Sequence, residues 1–147
     1  NTVFTVNSSN NGNIAYGIIT NNINNSGGSN KRHSILNDTR TNKQIAQINT
    51  STGIKFGNYI SRQTTSNQKL LSCVKTTTTL IPYYNSSIQT SAGFTGTETN
   101  GNFGIGANIV YSTPLDGTIQ FVCIFASDQT SNLTDIHADI NTKYSIY

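Results

Sequence analysis

Apolar residues along this chain recur mostly at every second position, in short runs broken by polar, turn-forming clusters. Thr2-Val3-Phe4-Thr5-Val6 opens the pattern, and Asn7-Ser8-Ser9-Asn10-Asn11-Gly12-Asn13 interrupts it at once. A strand is predicted over Ile14–Thr20, then others near Gln44–Ile48, Ile54–Ile60, Leu70–Thr76 and Thr78–Tyr84. Phe103, Ile105, Ala107, Ile109 and Tyr111 alternate with small or polar residues, the signature of a half-buried strand. Pro114-Leu115-Asp116-Gly117 supplies turn chemistry, and Ile119–Ala126 is apolar on both faces save Gln120, as in a central strand.

The C-terminal stretch continues this pattern. Ile136, Ala138, Ile140, Tyr144 and Ile146 fall on one face at period two, interrupted by Thr142. Asp135, His137, Asp139, Asn141, Lys143, Ser145 and Tyr147 fall on the other, which predicts a long amphipathic strand. Residues 21–44 read as a long polar loop. A series of short strands with irregular turns predicts an all-β fold, an Ig-like or Greek-key β-sandwich ahead of a jelly roll.

Composition sharpens this picture. Only 10% of the 147 residues are charged, while Asn, Thr and Ser number 21, 22 and 16. Such a chain escapes disorder through its 18 Ile, 7 Tyr and 6 Phe, which supply a core and favour strand over helix. A surface made soluble by amides and hydroxyls suits a secreted protein. The longest apolar stretch, Phe121–Ala126, is too short for a membrane span, and Asn1 reads as a processed terminus. Eight of nine basic residues lie between Lys31 and Lys75, and five of six acidic ones between Glu98 and Asp139. No basic cluster interleaved with aromatics appears, so nucleic acid is excluded as a partner.

Cys73 and Cys123 each sit in an apolar strand-like run, and in an extracellular chain they predict one disulfide. Closing a loop of about fifty residues would contribute about 4 kcal/mol on the chain-entropy model. Two buried free thiols are the other reading.

Candidate chemistry is thin. Asp135-x-His137-x-Asp139 places three ligand types on one face of the predicted strand, yet any solvent-facing strand end carries polar residues at this spacing, so no metal site is assigned. His33 and His137 read as surface residues. No serine lies in a nucleophile elbow, and Glu98 has no neighbouring carboxylate for glycosidase-type work. Gly101-x-x-Gly104-x-Gly106 lies within a strand pattern, where glycines mark bulges rather than a phosphate cradle. No catalytic residue, cofactor or enzymatic activity is expected. N-x-S/T triplets begin at Asn7, Asn24, Asn37, Asn49, Asn85 and Asn132, and are candidate glycosylation sites, although several arise by chance in so Asn- and Thr-rich a chain. Tyr83-Tyr84-Asn85 and residues 21–44 could serve a glycan-binding surface, while a tyrosine pair on a strand more often packs.

A short apolar strand at the start, a polar connector and a long amphipathic strand at the end together resemble subunits of extracellular filaments built by donor-strand exchange. Chaperone–usher pilins are the familiar family, and the N-glycosylated thread filaments of archaea are analogous. The resemblance implies that Thr2, Val3, Phe4, Thr5 and Val6 insert as a donor strand into a neighbouring copy, with residues 1–13 forming the extension and 14–147 the domain. Ile136, Ala138, Ile140, Tyr144 and Ile146 would then line the acceptor groove of a head-to-tail polymer, a cell-surface filament that could also touch host glycans. Alternatives from other classes are a carbohydrate- or receptor-binding module, whose first strand would pair within its own sheet, and a viral fibre or coat protein. A secreted enzyme has least support.

Overall fold

The computed structural model describes residues 2–9, 16–22, 33–38, 43–50, 52–61, 67–96, 102–108, 113–115 and 117–147. Among the described residues thirteen strands precede a single α-helix: β1 (Thr2–Ser9), β2 (Tyr16–Asn22), β3 (His33–Asp38), β4 (Lys43–Thr50), β5 (Gly53–Ser61), β6 (Lys69–Lys75), β7 (Thr79–Tyr84), β8 (Ser87–Ile88), β9 (Ala92–Gly93), β10 (Asn102–Ile105), β11 (Ala107–Asn108), β12 (Thr113–Pro114) and β13 (Gly117–Phe125). A 3-10 turn at Thr130–Asn132 leads into α1 (Leu133–Tyr144).

Every pairing among the described strands is antiparallel. One sheet runs β13-β1-β6-β7-β8, with β9 also on β7; a second runs β10-β2-β3-β4-β5; β11 and β12 form a small ribbon. The first sheet therefore has β1 and β6 at its centre, and β6 is buried on both faces from Lys69 to Val74. The strand β3 falls inside the stretch that reads as a loop over residues 21–44. Ile35 and Leu36 are its only apolar pair, too short a run to register a period.

Residues alternating along β1 and β6 feed two separate cores, as period two requires. Val3, Leu71 and Cys73 join Leu80 of the same sheet and Phe94, just after β9, with Ala46 and Ile48 of β4, so this core draws on both sheets. Gly57 of β5 comes so close to the Pro82 ring of β7 that a Cβ there would lie 3.0 Å from Pro82 Cγ, which explains the missing side chain. Thr50 and Thr52 each donate a hydroxyl hydrogen bond to the Thr95 carbonyl at 2.6 Å, tying the β4–β5 turn to the chain after β9.

The other core lies between the first sheet and α1. Phe4, Val6, Leu70 and Val74 meet Leu133 and Ile140 of the helix there. The C-terminal segment is thus a helix rather than the predicted strand. Leu133, His137 and Ile140 are buried, and Ile136 and Tyr144 half-buried, at a spacing of three to four residues that makes one helical stripe. Ala138, expected to face inward with Ile136 and Ile140, is exposed. Asp135 in the first turn and Lys143 in the last match the helix dipole. Ser145 ends the helix in the left-handed region at φ 49°, and Asn141 Oδ1 accepts from the Ile146 and Tyr147 amides at 2.9 and 3.0 Å.

The disulfide is absent: Cys73 and Cys123 are both free thiols. The reason is topological. Val3 of β1 pairs with Cys73, whereas its neighbour Phe4 pairs with Cys123. The two sulfurs therefore point to opposite faces of the sheet, with a whole strand between them. In β13 a bulge leaves Gln120 unpaired between Val6↔Phe121 and Asn7↔Ile119. Ile119 consequently turns toward the inter-sheet core, while Phe121, Cys123 and Phe125 face the helix.

Candidate functional site

The first site to place is the N-terminal strand. Thr2–Val6 do not protrude: β1 is hydrogen-bonded along one edge to β13 and along the other to β6, and all five residues are buried. Thr2 also fixes the strand's start, accepting from the Gln129 amide at 2.9 Å and donating to the Ser127 carbonyl at 3.3 Å. The donor-strand assignment is corrected accordingly, since both edges of the segment are used within its own chain. The acceptor-groove assignment is corrected with it. Ile136, Ile140, Tyr144 and Ile146 pack from α1 and its tail against the face of the sheet, as a cover, and Ala138 takes no part. Phe4 fills this space, with its ring 5.8 Å from Phe125 and 5.6 Å from His137, both edge-on.

Beneath α1 lies a pair that sequence reading misses. Ser72 Oγ and His137 Nε2 are 2.8 Å apart, and both residues are buried. His137 is thus an interior residue and not a surface one. Burial holds its pKa below the ordinary 6.5, so the imidazole is neutral at pH 7. A serine hydroxyl bonded to a neutral imidazole is the opening arrangement of a nucleophile and its base. Here, however, Ser72 has no exposed surface, and Phe4 and Tyr83 rings flank the imidazole at 5.6 and 5.7 Å. No substrate reaches that hydroxyl, and the bond instead fastens the helix to the sheet.

The helix also disperses the Asp135-His137-Asp139 trio, with His137 turned inward and both aspartates outward. Among the described residues no group of three potential metal ligands converges. Glu98 and Gly101 lie outside the described residues, while Gly106 sits at φ +74° between β10 and β11, where it ends the strand that the alternation from Phe103 predicts to run on. Tyr83 packs toward the helix core and Tyr84 toward the inter-sheet core, so the two do not form a sugar-stacking platform. Asn85 and Ser86, at φ 44° and 67°, make the two-residue β7–β8 turn, and Asn85 Oδ1 accepts from the Leu70 amide at 3.0 Å.

The triplets separate by burial. Asn7 is fully buried and cannot carry a glycan in the folded chain, whereas Asn132 is exposed at the start of α1. Asn85 is half-buried in its turn; Asn37 and Asn49 lie in β3 and β4; Asn24 lies outside the described residues.

Two surface features remain. A shallow cleft of about 400 Å³ is lined by Lys75, Thr76, Thr77 and Asp128. The Thr130 hydroxyl and amide donate to the Asp128 carboxylate and hold its pKa below the usual carboxylate value. The second feature is β13, which pairs only with β1 among the described strands and carries no charged side chain over its nine residues. Ile124 on this edge strand is 40% exposed. No helix among the described residues is long and apolar enough to cross a membrane. No protein-family model matches the chain, and no curated protein is similar enough to count as a relative.

Proposed function

We propose that this protein is a non-catalytic structural subunit of an extracellular, cell-surface assembly, and that its partners are copies of itself joined by strand addition along β13. In this reading the two main sheets are the layers of an Ig-like or Greek-key β-sandwich, and α1 is an added outer layer. The observation that carries the proposal is the state of the β13 edge. An edge strand of nine residues is a template for another strand, and soluble monomers blunt such edges with charge, proline or bulges. This one carries neither charge nor proline and only the single bulge at Gln120, and it presents Ile124 to solvent. The low overall charge supports the same reading, because little repulsion opposes packing of identical surfaces. The strand that joins copies is then β13, which keeps its place in its own sheet, and β1 stays at home.

A carbohydrate- or receptor-binding module is the second reading. It is favoured by the closed position of β1 and by the polar cleft at Lys75 and Asp128, whose amine, carboxylate and threonine hydroxyls suit a sugar's hydroxyl groups.

Light scattering and negative-stain microscopy test the assembly. The native protein should form oligomers or filaments, and Ile124→Lys should leave a folded monomer with an unchanged circular dichroism spectrum. A native protein that stays monomeric at every concentration, and that binds on a glycan array, would replace the first reading by the second.

A further inference from the structure

We infer that Asn7 and Lys69 are joined by an intramolecular isopeptide bond between the Asn7 side-chain carbonyl carbon and Lys69 Nζ. The inference is independent of the assembly proposed above, since both residues belong to one chain and one sheet.

Three observations converge on this pair. Asn7 of β1 lies directly opposite Lys69 of β6 in the antiparallel ladder, so both side chains leave the same face of the sheet. Cross-strand partners have Cβ atoms about 5 Å apart, within reach of a lysine's four-carbon stem. Their face is the one shared by Val3, Leu71 and Cys73, which turns toward the inter-sheet core, and there Asn7 is 0% and Lys69 1% exposed. Finally, neither Oδ1 nor Nδ2 of Asn7 has a hydrogen-bond partner, and Thr5 Oγ1, two residues away on the same face, has none either. Folded proteins seldom leave buried carboxamides in that condition, so this one calls for an explanation.

The chemistry of the two groups supplies it. Burial lowers the Lys69 pKa to about 8, which gives the amine a substantial neutral, nucleophilic fraction near neutral pH. The Nζ lone pair adds to the Asn7 carbonyl carbon and forms the new C–N bond. A proton passes from Nζ to Nδ2, the bond from that carbon to Nδ2 breaks, and ammonia leaves. Nothing is oxidised or reduced. The unpartnered primary amide of Asn7 becomes a secondary amide, which has fewer polar hydrogens to satisfy. The product fastens β1 to β6, its neighbour in the sheet.

Intact-mass spectrometry of the reduced, denatured full-length chain tests this. The expected mass is the sequence mass less one ammonia, and tryptic digestion should fail after Lys69 and yield a branched peptide joining the Asn7 and Lys69 segments. Lys69→Arg should have its full sequence mass. Asn7→Asp should lose one water instead of ammonia, because a carboxyl group now meets the amine. A native chain of full mass that trypsin cuts after Lys69 would overturn the bond. So would an ammonia loss that persists in Asn7→Ala, which would place it elsewhere, as at Asn11-Gly12 where a succinimide forms readily. If a variant fails to fold, the native mass and the mapped peptide still decide.

Discussion

The residue that most changes the picture of this protein is His137. In sequence it sits among aspartates and reads as solvent-facing, yet its ring lies between those of Phe4 and Tyr83, bonded to Ser72. An imidazole placed there is tolerated only while neutral, because a charge would lose its hydration with no carboxylate against it among the rings and hydroxyl it touches. Its pKa is lowered on folding, so below about pH 6.5 the unfolded chain binds a proton that the folded chain refuses. Stability is therefore fully present above the ordinary histidine pKa and declines as the pH falls through it, levelling off only below the depressed folded value. Thermal melts from pH 8 down to pH 5 should show this loss, and His137→Gln, which keeps a hydrogen-bonding group but does not titrate, should flatten it. An unchanged slope in that variant would mean that other groups govern the acid limb.

At the scale of elements, the strands were legible and the helix was not, for a definable reason. Leu70–Thr76 and Thr78–Tyr84 match β6 and β7 closely because apolar runs bounded by turn chemistry leave little alternative. At the C-terminus, Ile136 and Ile140 are four apart, a spacing that satisfies both period two and the helical repeat. Ala138 between them completes the false alternation, and the polar His137 hides a buried helical position. Leu133, Ile136, His137, Ile140 and Tyr144 carry the correct signal once the histidine is counted as interior. The two periods make opposite demands on neighbouring residues, which makes the helix testable by substitution. Ile140→Ala, which empties a site 6% exposed between helix and sheet, should cost about 2–5 kcal/mol in denaturant unfolding. Ala138→Glu, which a strand would force into the core, should stay within about 0.5 kcal/mol of the native protein. Equal losses at both positions would contradict the helix.

At the scale of the whole molecule, the position of β1 decides how the chain closes. Its partners β6 and β13 are remote in sequence, so the first strand completes the central sheet only after most of the chain exists, a non-local pairing of the kind that slows folding. No alternation in the sequence reveals which strands flank it, and this is why the cysteines mislead: each lies in an apolar strand, but only the register shows that β1 stands between them. Strands lie about 4.8 Å apart, so the two cysteine backbones are about 10 Å apart across β1. A disulfide needs Cα atoms within about 7 Å and side chains that face one another, whereas these point to opposite faces. The melting temperature should therefore be the same with and without reductant, and the unfolded, unreduced protein should titrate two thiols. A disulfide trapped from the native state would require β1 to have left the slot between β6 and β13, and with it would go both the sheet order described here and the Asn7–Lys69 register. The same two-thiol result, together with a chain lighter by one ammonia, would mean that the central strand is held by a covalent bond that owes nothing to redox conditions.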